Sequence, residues 1–196
     1  GVGWVCLVGL SGLCVWRTVL AGFVDSRRAQ QVTIRAEAGG NYLSSQLVRI
    51  EANQNGFHEG IVLDSQGLVS EGSGENLFIV KGNTLFTPSS HHSILPGITR
   101  HTAMTIAREL GFTVEERGIP REFLYIADEV FFTGTAAEVT PIQSIDHIPI
   151  GDGKRGPITE QIQRRYFETI NAQVEDTHDW LSFDEESLAV LHTTGD

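Results

Sequence analysis

The sequence predicts an α+β or mixed α/β domain, and three observations support this. Short apolar runs recur between clusters of Gly, Asn and Asp, the pattern of strands joined by tight turns. Separate stretches place apolar residues at helical spacing. The chain has 196 residues, 40% of them hydrophobic, enough for one domain with a real core.

Residues 1–24 carry one charged side chain, Arg17. A membrane-spanning helix needs about 20 apolar residues. This run reaches that length only across Arg17 and with four glycines before residue 13. No basic segment precedes it and no small-residue cleavage site comes after it. It reads as non-spanning, either a buried strand region or sequence outside the fold. Residues 25–36 are polar and basic and form a connection, so 1–34 is set apart from the motif-bearing region.

Leu43, Leu47, Val48 and Ile50 predict a helix over 42–54, ended by Asn55-Gly56. Residues 60–63 form a strand, 64–67 a turn, and Leu68-Val69 resumes the strand. Residues 76–80 form another strand, and Lys81-Gly82-Asn83 turns the chain into 84–86. Pro96-Gly97 opens a helix carrying Ile98, Ala103, Ile106, Ala107 and Leu110, with Gly111 in the C′ position. Next come a strand over 112–114, a short helix over 121–127 after Pro120 and a strand over 130–133. That last strand delivers the Gly134-Thr135-Ala136 turn. Residues 157–173 form an amphipathic helix, and 182–196 are an acidic, peripheral tail.

The formal net charge of −11 argues against binding a phosphate backbone. Two cysteines, Cys6 and Cys14, make no disulfide framework, which points to a reducing compartment and a cytoplasmic setting. His91-His92 lacks partners at metal-site spacing and reads as a loop pair. Asp128-Glu129 reads as turn or packing groups.

Three motifs carry chemistry. In Ser70-Glu71-Gly72-Ser73-Gly74-Glu75-Asn76-Leu77-Phe78, the glycines let a backbone approach a ligand closely. In Leu95-Pro96-Gly97-Ile98-Thr99-Arg100, a helix N-terminus offers unpaired N–H groups and a partial positive charge, suited to a phosphate. In Thr133-Gly134-Thr135-Ala136-Ala137-Glu138, a strand end presents a hydroxyl and successive amides in one concavity. Upstream stands Arg35-Ala36-Glu37-Ala38-Gly39-Gly40-Asn41-Tyr42.

In this order and spacing, residues 35–181 resemble the large domain of branched-chain amino-acid aminotransferases, fold-type IV enzymes that use pyridoxal 5′-phosphate (PLP). The resemblance implies a role for each matching residue. Glu71 faces the ring nitrogen, and Tyr42 the phenolic oxygen. The backbone amides of Ile98 and Thr99 grip the phosphate together with the Thr135 hydroxyl, and Ala136 lies near the substrate carboxylate. It further implies amino-acid and 2-oxo-acid substrates (Leu, Ile or Val with 2-oxoglutarate) and, by analogy, a homo-oligomer. Neither nucleic acid nor a membrane is an expected partner.

Two departures stand out. The family pattern has its Schiff-base lysine where this chain has Glu37, and a carboxylate cannot make that link. The only lysines, Lys81 and Lys154, fall in turns. The family's smaller N-terminal domain is also absent before residue 35. The expectation is a fragment-like homologue without turnover. A non-catalytic PLP-binding or interaction protein is the rival reading, as is another fold-type IV enzyme (D-amino-acid aminotransferase or aminodeoxychorismate lyase).

Overall fold

The computed structural model describes residues 19–23 and 39–181, with the backbone alone for 39–44. In chain order these form β1 (Val19–Phe23), α1 (Gly39–Gln54), β2 (Glu59–Leu63), β3 (Val69–Gly72), β4 (Asn76–Lys81) and β5 (Thr84–Pro88). Then come α2 (Ile98–Glu109), β6 (Thr113–Arg117), a 3₁₀ helix (Arg121–Ile126), β7 (Glu129–Gly134), β8 (Glu138–Ile145), β9 (Ile148–Pro149) and α3 (Pro157–Ile170). Of the described residues, those up to Tyr166 belong to one compact unit and those from Phe167 to another.

The described strands join in the order β3-β2-β1-β8-β7-β4-β5-β6, with β9 on β8. Pairing is mixed. β1 runs parallel to both β2 and β8, and β5 parallel to β6, while β7 lies antiparallel between β4 and β8. The expected mixed α/β class is what the chain adopts.

Residues Asn76 to Val80 of β4 are all buried, as in a strand covered on both faces. Leu77 and Ile79 enter a core with Val130, Phe132, Ile142 and Ile145. On the opposite face, Phe78 pairs across strands with Phe131, their rings stacked at 5.0 Å. Against β7 packs α2, with Ala103, Ile106 and Ala107 buried. Its end is set by Gly111, whose φ of 85° is the left-handed conformation that a Cβ disfavours.

Two elements differ from the sequence reading, and a third falls within one of its alternatives. β8 lies in the sheet interior but contains Pro141, a residue that argues against a central strand because it lacks an N–H. The sheet accommodates it opposite Phe131, and the described pairing with β1 starts one residue later, at Ile142. β6 extends to Arg117 although its residues are largely exposed, since backbone pairing to β5 holds it. Within 1–34, Val19–Phe23 forms the buried-strand alternative, paired on both edges. The remainder of that stretch and the tail 182–196 lie outside the described residues. Among the described residues, no helix is long and apolar enough to cross a membrane.

Candidate active site

The β3–β4 turn places Glu71 on the last strand residues before a tight loop, closed by Gly72 N–H donating to the Glu75 carbonyl at 2.6 Å. Glu71 Oε2 accepts from Leu95 N–H at 2.9 Å and from Asn76 Nδ2 at 3.1 Å. Both contacts fall on one oxygen; among the described residues Oε1 has none. Burial pushes the Glu71 carboxyl up to about 7. The Leu95 N–H opposes this, the neighbouring Glu75 adds to it, and Arg100 opposes it again.

The second segment lies directly beyond. Leu95 leads through Pro96 to Gly97, the residue preceding α2. No side chain caps the helix there, and its first turn holds no acidic residue, so the N–H groups of Ile98 and Thr99 and the positive dipole end are not locally neutralised. Thr99 is buried and Ile98 half exposed. Arg100 anchors this turn from within, donating to Thr87 Oγ1 (3.3 Å), the Pro88 carbonyl (3.0 Å) and Glu116 (2.7 Å).

The third segment arrives by strand pairing. Asn76 is registered opposite Thr133, and Gly134 opposite Glu138, leaving Thr135–Ala137 as a three-residue loop. Thr135 and Ala136 are exposed. Gly134 lies against the first segment: a Cβ there would sit 3.4 Å from the Gly74 carbonyl oxygen. Thr133 is fully buried, and its Oγ1 has no hydrogen-bond partner among the described residues. All three motifs therefore meet around the first residue of β4. Tyr42 lies in the first turns of α1, with its side chain outside the described residues, and Glu37 lies outside them altogether.

Sequence reasoning overlooked a second acidic group beside Glu71. Glu59 Oε1 accepts from the N–H groups of Gly60 (2.8 Å) and Ser73 (3.1 Å), and Arg49 lies 3.2 Å from Glu59 Oε2 and 3.9 Å from Glu75 Oε1. Burial, then the adjacent Glu59, raises Glu75 to about 7. No local signal marks Glu59 or Arg49, because the fold alone brings them to the turn. The groups judged structural behave so. Asp128 binds Lys81 Nζ and Gly82 N–H, Glu129 accepts from Ile158 N–H and Thr159 N–H, and His92 pairs with Asp64. No group of possible metal ligands occurs among the described residues.

The chain has counterparts among known proteins. Residues 18–145 match the amino-transferase class IV family. The chain belongs to that family. The match begins earlier than the resemblance over 35–181, taking in β1. Among curated relatives, the branched-chain-amino-acid aminotransferase of Escherichia coli strain K12 is 53% identical over 146 residues, 74% of this chain and 47% of that protein. A solved structure of the Escherichia coli branched-chain amino acid aminotransferase superimposes with a TM-score of 0.80 at 50% identity, over 85% of this chain and 57% of that one. The branched-chain amino acid aminotransferase from Thermobaculum terrenum, solved in its PLP form, gives a TM-score of 0.80 at 38% identity, covering 85% of this chain and 55% of that one. The chain thus has the fold-type IV architecture, and it spans about half the length of the curated relatives it matches.

Proposed function

We propose that this chain is a branched-chain aminotransferase homologue that holds PLP without a covalent link and, with Glu37 in place, does not turn over amino acids. The observation that carries the cofactor assignment is Glu71: a partly buried carboxyl tied down by one oxygen, with the other unpartnered among the described residues, beside an uncapped helix N-terminus. A pyridine nitrogen and a phosphate on one small molecule match those two features. When bound, PLP supplies an electron-withdrawing ring that stabilises charge at a substrate's α-carbon.

The residues divide the work. Glu71 Oε1 accepts the ring N–H and keeps that nitrogen protonated. The N–H groups of Ile98 and Thr99, with the Thr135 hydroxyl, hold the phosphate. The resemblance to the family assigns Tyr42 to the phenolic oxygen and the Ala136 N–H to the substrate carboxylate. The similarity to branched-chain enzymes supports transfer from Leu, Ile or Val to 2-oxoglutarate for a complete version that carries the lysine, and a homo-oligomeric assembly and cytoplasmic setting by analogy.

Glu37 supports the second half of the proposal. Its carboxylate carries no amine to link to the cofactor. The test is amino transfer from leucine to 2-oxoglutarate with excess PLP. The expected outcome is no glutamate above background, and sustained turnover by the unaltered chain would overturn this reading.

A further inference from the structure

We propose that Asn76 is a positioning residue for Glu71: its carboxamide ties the Glu71 carboxyl to the Leu95–Gly97 segment, so that the ring-nitrogen and phosphate contacts of a pyridine phosphate are held at one fixed separation. The inference rests on the PLP assignment above and adds a residue that does not itself touch the cofactor.

The geometry is a closed loop of hydrogen bonds. Asn76 Nδ2 donates to Glu71 Oε2 at 3.1 Å and to the Leu95 carbonyl at 2.8 Å. The Leu95 N–H returns to the same Glu71 oxygen at 2.9 Å. A carbonyl can only accept, so the amide nitrogen must face Leu95, and both of its hydrogens are then committed. Asn76 is 6% exposed and sits on a paired strand, so the amide has little room to turn.

Gly97 completes the argument. A Cβ at Gly97 would lie 2.2 Å from Asn76 Oδ1. Its φ of −75° and ψ of 146° suit any residue, so space and not backbone freedom calls for glycine. Asn76 thus touches both ends of the site: the carboxyl that meets the ring, and the glycine from which the phosphate-facing helix starts. With Oε2 held on both sides, Oε1 is aimed and not merely present. The charged groups facing Glu71 are Glu75 from its own turn and Arg100 from α2, with Glu59 and Arg49 acting through Glu75.

Two variants test this. Asn76→Leu removes both donors at similar volume, and Gly97→Ala pushes the Asn76 carboxamide aside while retaining the residue, which keeps the test alive if the first variant does not fold. In the free chain, Glu71 is followed by carbon-13 NMR of its carboxyl as pH is varied. The expected result is titration near 7 in the unaltered chain and at higher pH in both variants, because a donor to the charged form is lost. With PLP added, affinity at pH 7 falls about tenfold in each variant, and the rise of affinity with pH moves to higher pH. A residue needed only for folding would lower affinity alike at every pH. Binding and titration indistinguishable from the unaltered chain would overturn the Asn76 assignment alone. An unaltered chain that binds no PLP while Glu71 titrates as expected overturns the cofactor assignment, and this inference with it.

Discussion

Replacing Glu71 by Gln separates what the site needs from what the fold needs. The carboxyl stands at about 7 against an ordinary value of 4.5, chiefly through burial. The folded value lies above the unfolded one, so between the two the folded chain holds the extra proton. That contribution to stability is fully present below about 4.5 and is lost as pH rises through about 7. By pH 8 the ionised carboxyl costs the folded state about 3 kcal/mol relative to the neutral form. Gln keeps an acceptor for Leu95 N–H and Asn76 Nδ2 but carries no charge. Urea unfolding at pH 5 and pH 8 reads the difference. The two proteins should be nearly equal at pH 5, and the Gln variant more stable by about 2–3 kcal/mol at pH 8. The same variant should bind PLP more weakly, since a neutral amide cannot hold the ring nitrogen protonated. Parallel pH dependence in both proteins would refute the claim that burial raises the Glu71 carboxyl.

Neighbouring contacts give further expected outcomes. Glu129→Ala removes two short acceptors, 2.9 and 2.7 Å from the first-turn N–H groups of α3, and should cost about 3 kcal/mol by urea unfolding. Lys81→Ala breaks an exposed pair with Asp128 and should cost under about 1 kcal/mol in the same experiment. Phe131→Ala empties a fully buried position in the sheet and should cost about 3–5 kcal/mol, with a lower midpoint at unchanged slope. Glu37→Lys supplies an amine at the family's linking position. Treated with PLP and then borohydride, which reduces an imine to a stable secondary amine, it should gain the mass of a phosphopyridoxyl group that the unaltered chain lacks.

Legibility in the sequence divided along physical lines. Strands flanked by glycine and asparagine turns were readable because turn residues act locally; Lys81-Gly82-Asn83 and Gly111 are where the letters place them. The three motif segments were readable as sites because glycines and helix starts are unusual next to polar residues. What escaped depends on distant partners. β8 was hidden by Pro141, tolerated only because of where its neighbours begin to pair. β6 extends past the apolar run because backbone pairing to β5 carries the charged Glu115, Glu116 and Arg117. Glu59 meets Ser73 and Arg49 across the fold, and Arg100 reaches Thr87 and Glu116 from a helix read only for its N-terminus. The bridging role of Asn76 needs coordinates too, since its position in a motif says nothing of which oxygen it grips.

The most direct test is equilibrium titration of the unaltered chain with PLP, followed by borohydride treatment and intact-mass spectrometry. The account predicts saturable, stoichiometric binding that dialysis reverses, with no mass added by the reductant. A covalent adduct on the unaltered chain, or no binding at any PLP concentration, would contradict it.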